Sequence, residues 1–81
     1  MFSSGNRTKF IDNINIGPVL TRMYTASVIN EGQRQRIESE KTNIDKANHL
    51  WNLMTTQQRY LDGVREALKS TGQKLLAGIL I

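Results

Sequence analysis

Few side chains in this sequence are of a type that does chemistry, and their spacing gives them little to do. His49 is the single histidine and has no His-x-x-x-His or Glu-x-x-His partner, so a metal centre built on it lacks its second ligand. One residue outside the apolar stripe of 44–54, it reads as a surface side chain. Asp62 and Glu66, four apart, could form a carboxylate pair for acid–base work, but Arg65 and Lys69 flank them and turn that stretch into a solvated charged face. Ser3, Ser4, Ser27, Ser39 and Ser70 stand in no recognisable nucleophile arrangement with the histidine. The glycines lack the Gly-x-Gly-x-x-Gly or Gly-Lys-Ser/Thr order that cradles phosphate at a helix start. The absence of cysteine removes disulfides, thiolate zinc sites and cysteine nucleophiles together. The expectation is a chain that is not an enzyme and needs no cofactor or metal.

Binding is the remaining class, and charge is its first clue. Eleven Lys/Arg against seven Asp/Glu give a formal charge of +4, which admits nucleic acid as a partner. Arg34, Arg36 and Lys41 fall close together, with Lys46 following, yet Glu31, Glu38 and Glu40 interleave with them. A helix that enters a groove presents a net basic face, whereas this one is mixed. Trp51 and Tyr60 could be base-stacking aromatics but lie on or beside apolar stripes, which reads as core. A small basic helical nucleic-acid-binding protein is therefore the second reading, and an unrelated structural or subunit-interface protein the third.

The elements that would carry such a surface are helices. Phe10, Ile11 and Ile14 fall at helical spacing, and Val19, Leu20 and Met23 repeat it after Gly17-Pro18, so a second helix is expected to start at Pro18 after a joint over 13–17. Val28-Ile29 form an apolar plug, and Asn30 with Gln33 has capping-box chemistry for a third helix whose one large apolar residue is Ile37. Thr42 or Asn43 can cap the next, whose stripe is Ile44, Ala47, Leu50, Trp51 and Met54. Thr55 with Gln58 offers another capping pair ahead of Leu61, Val64 and Leu68, with Tyr60 and Ala67 at the stripe's edges. Thr71-Gly72 stops that helix, and Leu75, Leu76, Ile79 and Leu80 define a last one. The spacing thus predicts helices over about residues 4–14, 18–25, 31–40, 44–54, 57–70 and 73–80 of one domain, 1–81, with both termini toward one end. The expected core is Phe10, Ile14, Val19, Leu20, Met23, Ile37, Leu50, Met54, Leu61, Val64, Leu68 and Leu76 around Trp51. No alternating pattern lasts a strand's length, and 38% hydrophobic with 22% charged residues suits a folding globule.

No apolar run approaches the roughly eighteen residues needed to cross a bilayer, and the start lacks the apolar centre of a signal peptide, so the chain is expected to be soluble and cytoplasmic. The apolar end over 75–81 has the length of a closing core helix rather than a membrane foot.

From Phe10 onward the order of features resembles the caspase recruitment domain, a branch of the death-domain superfamily. Three stretches carry the resemblance: Val19-Leu20 to Val28-Ile29-Asn30, similar to the family's second helix and its hydrophobic turn; Asp45 to Met54, similar to its fourth helix; and the ending Ala67-Leu68-x-x-Thr71-Gly72-x-x-x-Leu76-Ala77, similar to its fifth-to-sixth helix turn. The resemblance implies an all-α, six-helix antiparallel Greek-key bundle that binds other domains of its kind. Such binding recruits caspases, adaptors or sensors in apoptosis or innate immune, inflammasome-type signalling, and the domains can also associate into helical assemblies. It further implies a contact between the first and fourth helices of one copy and the second and third of another. The first side maps to Arg7, Lys9, Lys46 and His49, and the second to Arg22, Glu31, Glu38 and Glu40, where Arg22, Arg34 and Arg36 dilute the acidic side.

Overall fold

The structure, a computed structural model, describes residues 4–80 and resolves them into six helices: α1 (Ser4–Asn13), α2 (Ile16–Thr25), α3 (Glu31–Glu38), α4 (Asn43–Met54), α5 (Gln58–Ser70) and α6 (Lys74–Gly78). No strand occurs among the described residues. The ends of the helices follow from local chemistry. Asn30 Oδ1 accepts the Gln33 N–H at 2.8 Å while Gln33 Oε1 accepts the Asn30 N–H at 2.9 Å, the reciprocal capping box expected at the start of α3. Thr42 caps α4 by accepting the Asp45 N–H at 3.0 Å. At the end of α5, Gly72 takes φ +79°, and Gln73 N–H bonds Leu68 C=O at 2.8 Å, closing the chain reversal that the Thr71-Gly72 pair announces.

Several boundaries differ from the expected ones. α2 starts at Ile16, not Pro18, because proline is tolerated anywhere in a first turn whose N–H groups have no intrahelical acceptor. The joint between the first two helices therefore shrinks to residues 14 and 15. α3 ends at Glu38, and Glu40 lies in the turn beyond it, where Ser39 Oγ donates to Arg36 C=O at 2.7 Å. The Thr55–Gln58 pair makes no cap: Thr55 and Thr56 donate their hydroxyls back to Asn52 and Leu53 C=O, and α5 opens after Gln57 with no side-chain cap. α6 is shorter than expected, its last turn tightening into Ile79 N–H to Leu76 C=O and Leu80 N–H to Ala77 C=O, both at 3.2 Å.

Sequence neighbours are not always spatial neighbours. Among the described residues, the α1 backbone lies against α4 and α6 rather than against α2, while α2 packs on α3, α4 and α5, a crossed order in keeping with a Greek-key bundle. The core between them holds Phe10, Val19, Leu20, Met23, Ile37, Leu50, Met54, Val64 and Leu68, all buried as expected, with Phe10 and Trp51 tilted at 58° and 5.2 Å between ring centroids. Ile14, Leu61 and Leu76, expected in this core, are only half-buried at its edge, and Ile16, Ile29, Tyr60 and Leu80 are buried in it as well. Ile44 departs from its stripe: it is 57% exposed in the first turn of α4.

Polar ties fix the two ends of the bundle. Gln73 accepts the Asn15 N–H at 2.8 Å and donates to Asn15 C=O at 3.3 Å, locking the α1–α2 joint to the α5–α6 turn across 58 positions. Asn6 donates to Ile79 C=O and Arg65 to Leu80 C=O, which brings the start of α1 and the last described residues to one end. Gly63 allows α5 to close on the turn after α2, since a Cβ there would lie 2.5 Å from Val28 Cγ1.

Candidate interaction surfaces

The charged residues sort into those satisfied within the chain and those left for a partner. On the α2–α3 side, Arg34 acts as a fork, donating to Glu31 at 2.5 Å and Glu38 at 3.1 Å with its guanidinium 5.0 Å from the Tyr24 ring centroid. The hydrogen bond that Arg34 donates to Glu31 raises the Arg34 pKa above its ordinary value against a smaller opposing effect of desolvation, and the Glu31 and Glu38 charges add to the rise. This fork comes from helical spacing, three positions one way and four the other. It fixes Arg34, Glu31 and Glu38 as one polar cluster beside the half-exposed Tyr24, with Arg22 and Arg36 exposed on the same two helices. Three arginines against two glutamates make α2 and α3 together net basic, whereas the family resemblance implied a diluted acidic side.

The other expected side is not one patch. Arg7, on α1, donates to Asn48 Oδ1 of α4. Lys9 lies on the opposite flank of α1, lining a groove with Asn13, Gln73 and Leu76 beside α6. Lys46 is two residues from Asn48, about 160° around α4 from it, so it sits on the flank away from Arg7, and it is half-buried. His49 is half-buried rather than a plain surface side chain, because the turn after α3 brings Glu40 against it, with Nδ1 to Oε2 at 2.9 Å. His49 and Glu40, which the family resemblance maps to opposite sides of a contact between copies, thus meet inside one chain. Asp62 and Glu66 pair with Arg65 and Lys69 at 3.2 and 3.4 Å, the charged face read from spacing.

Chemistry beyond binding finds no assembled constellation. No group of three His, Cys, Asp or Glu that could hold a metal ion occurs among the described residues, and none of their helices is long and apolar enough to cross a membrane. The surface depressions are open rather than enclosed. One lies at the α4–α5 turn between Trp51, Met54 and Leu61, and another beside α1 is lined by Arg7, Asp12, Ile44, Asp45 and Asn48.

That last depression holds residues that sequence reasoning passed over. Among the described residues, Asp12 and Asp45 are the two carboxylates with no ion pair. Spacing hides this, since Lys9 stands three positions before Asp12 and Lys41 four before Asp45. Lys41, however, precedes the α4 N-cap and is not on the helix, and Lys9–Asp12 has the weaker order, cation before anion.

Comparison with known proteins gives a match to the family model described as caspase recruitment domain, over residues 2–80. Neither the curated proteins nor the solved structures searched give a match. The family is one of interaction modules, not catalytic domains, whose members bind one another in apoptotic and inflammatory signalling. With six helices, a crossed packing order and a family match over nearly its whole length, the chain belongs to the caspase recruitment domain family.

Proposed function

We propose that this chain recruits a caspase, or an adaptor or sensor of apoptotic or innate immune signalling, in the cytoplasm, by direct contact between its fold and a like fold in the partner. The observation that carries this reading is the family match over residues 2–80, which leaves almost no part of the chain outside the module. The α2–α3 surface is the contact we assign to the partner. Its support is the Arg34 fork, which holds Glu31 and Glu38 in a fixed arrangement before any partner arrives and so lowers the ordering cost of binding. Arg22 and Arg36 extend that surface, so it offers both signs, and the partner it fits presents a cation opposite Glu38 and carboxylates opposite the arginines. Lys46, with the His49–Glu40 pair at the α3–α4 turn, forms its border; Arg7 and Lys9 fall outside it.

The experiment is a binding screen of the purified chain against caspase recruitment domains from caspases, adaptors and sensors, with death domains as controls. Glu38→Lys, Arg34→Glu and Lys46→Glu are run beside the parent. Binding to at least one such domain, weakened by Glu38→Lys with little change in melting temperature and by Arg34→Glu in a variant that still unfolds cooperatively, supports the reading. Salt-dependent retention on DNA or RNA with no domain partner would favour the nucleic-acid alternative instead.

A further inference from the structure

Two exposed apolar residues on either side of α1 carry opposite charges around them. Leu75 is 90% exposed at the start of α6, and the groove it lines continues through Leu76 and Ile79, which are half-buried, between Lys9 and Lys74. Ile44 is 57% exposed at the start of α4 and lies in a depression with Asp12, Asp45 and Arg7, the last donating to Asn48, so this patch is net negative by one charge. A lone exposed leucine is ordinary on a protein surface. This one is continuous with a groove whose two lysines have no ion pair among the described residues, and the other patch holds the two carboxylates without one.

We propose that these two patches are the halves of a contact between copies of this chain, with Leu75, Lys74 and Lys9 of one copy seated against Ile44, Asp45 and Asp12 of the next. Apolar centres meet and are withdrawn from water, and each unpaired carboxylate gains a lysine. Like patches brought together would place lysine on lysine or aspartate on aspartate, so the charges select the unlike pairing. Because the two patches occupy different grooves, the contact is heterologous: one face stays free after each addition, and copies add head to tail. The α2–α3 surface takes no part, which leaves it open to the partner. The proposal rests on the reading of the chain as a homotypic module and names a second copy as one of its partners.

The test uses the full chain and three variants, Lys74→Glu, Asp45→Lys and Leu75→Ser, followed by light scattering and analytical sedimentation over increasing concentration at low and physiological salt. All three positions are exposed, and melting curves check that the fold is kept. The parent is expected to associate in a salt-weakened manner, each variant alone to associate at least about tenfold more weakly, and an equimolar mixture of Lys74→Glu with Asp45→Lys to recover association. A parent that stays monomeric, single reversals that associate as the parent does, or a mixture that fails to recover would overturn the pairing. A chain that remains monomeric yet binds another caspase recruitment domain overturns this contact alone. Self-association through these patches without binding to any other such domain supports the contact and counts against the recruitment reading.

Discussion

Replacing Gly63 by alanine should destabilise the fold even though alanine is the better helix former. In an unstrained helix interior the exchange gains about 0.8–1.0 kcal/mol. Here the new Cβ would sit 2.5 and 2.9 Å from the two Val28 methyls and 3.2 Å from Val28 Cβ, against about 3.5–4.0 Å for an ordinary carbon contact. Val28 cannot swing aside easily, because it is β-branched and follows Ser27, which already holds φ +61°. Overpacking of this kind costs about 1–3 kcal/mol, so after the propensity gain the net loss should reach up to about 2 kcal/mol, read as a fall of up to roughly 8–16 °C in melting temperature for a domain of this size. The decisive arm is the same change in a Val28→Ala background. There the two methyls are gone and the nearest remaining contact is the Cβ of residue 28 at 3.2 Å, so Gly63→Ala should become neutral or mildly stabilising. The difference between backgrounds should exceed about 1 kcal/mol in a double-mutant cycle of urea unfolding. If Gly63→Ala stabilises both backgrounds equally, α5 does not close on the α2–α3 turn as described, and the placement of α3 loses its anchor.

Three further outcomes are expected. Ser27→Gly should stabilise the fold by about 1 kcal/mol in thermal unfolding, since a serine at φ +61° pays a steric cost that glycine does not; a destabilised variant would contradict the left-handed turn after α2. Leu50→Ala and Leu68→Ala, both fully buried, should each cost about 2–5 kcal/mol, and two variants as thermostable as the parent would discredit the bundle register. Gln73→Ala should lose about 1 kcal/mol and raise amide exchange at Asn15, whereas Gln73→Glu should keep the bond from Asn15 N–H but lose the one to its carbonyl; unchanged exchange at Asn15 in both would refute the tie.

The helices were legible because their apolar spacing is strong. Val19, Leu20 and Met23, or Leu50 and Met54, can face only one way, and the structure buries each of them. Capping was legible where the residues could reach only one acceptor or donor, as at Asn30 and Thr42, and misleading at Thr55, whose hydroxyl turns back to the helix it ends. Pro18 marked the right region but not the start of α2, since any of the first-turn positions accommodates it. The surface was harder to read because a charge's role depends on the neighbouring element. His49 and Glu40 are nine positions apart, so only the turn after α3 decides that they pair. Lys46 and Arg7 carry the same sign, and only the packing of α1 on α4 decides that they lie apart. Ile44 fits the α4 stripe by spacing, yet its neighbours in the depression beside α1 are largely polar and leave it open.

The central claim is that the chain is a homotypic interaction module whose partner meets the α2–α3 surface. Its most direct measurement is equilibrium binding of the purified chain to a panel of caspase recruitment domains, with Glu38→Lys measured alongside. The account predicts saturable binding to at least one of them at physiological salt, weakened at least about tenfold by Glu38→Lys, with a stability change within about 0.5 kcal/mol. Binding to none of the panel, or equal binding by the parent and Glu38→Lys, would contradict it.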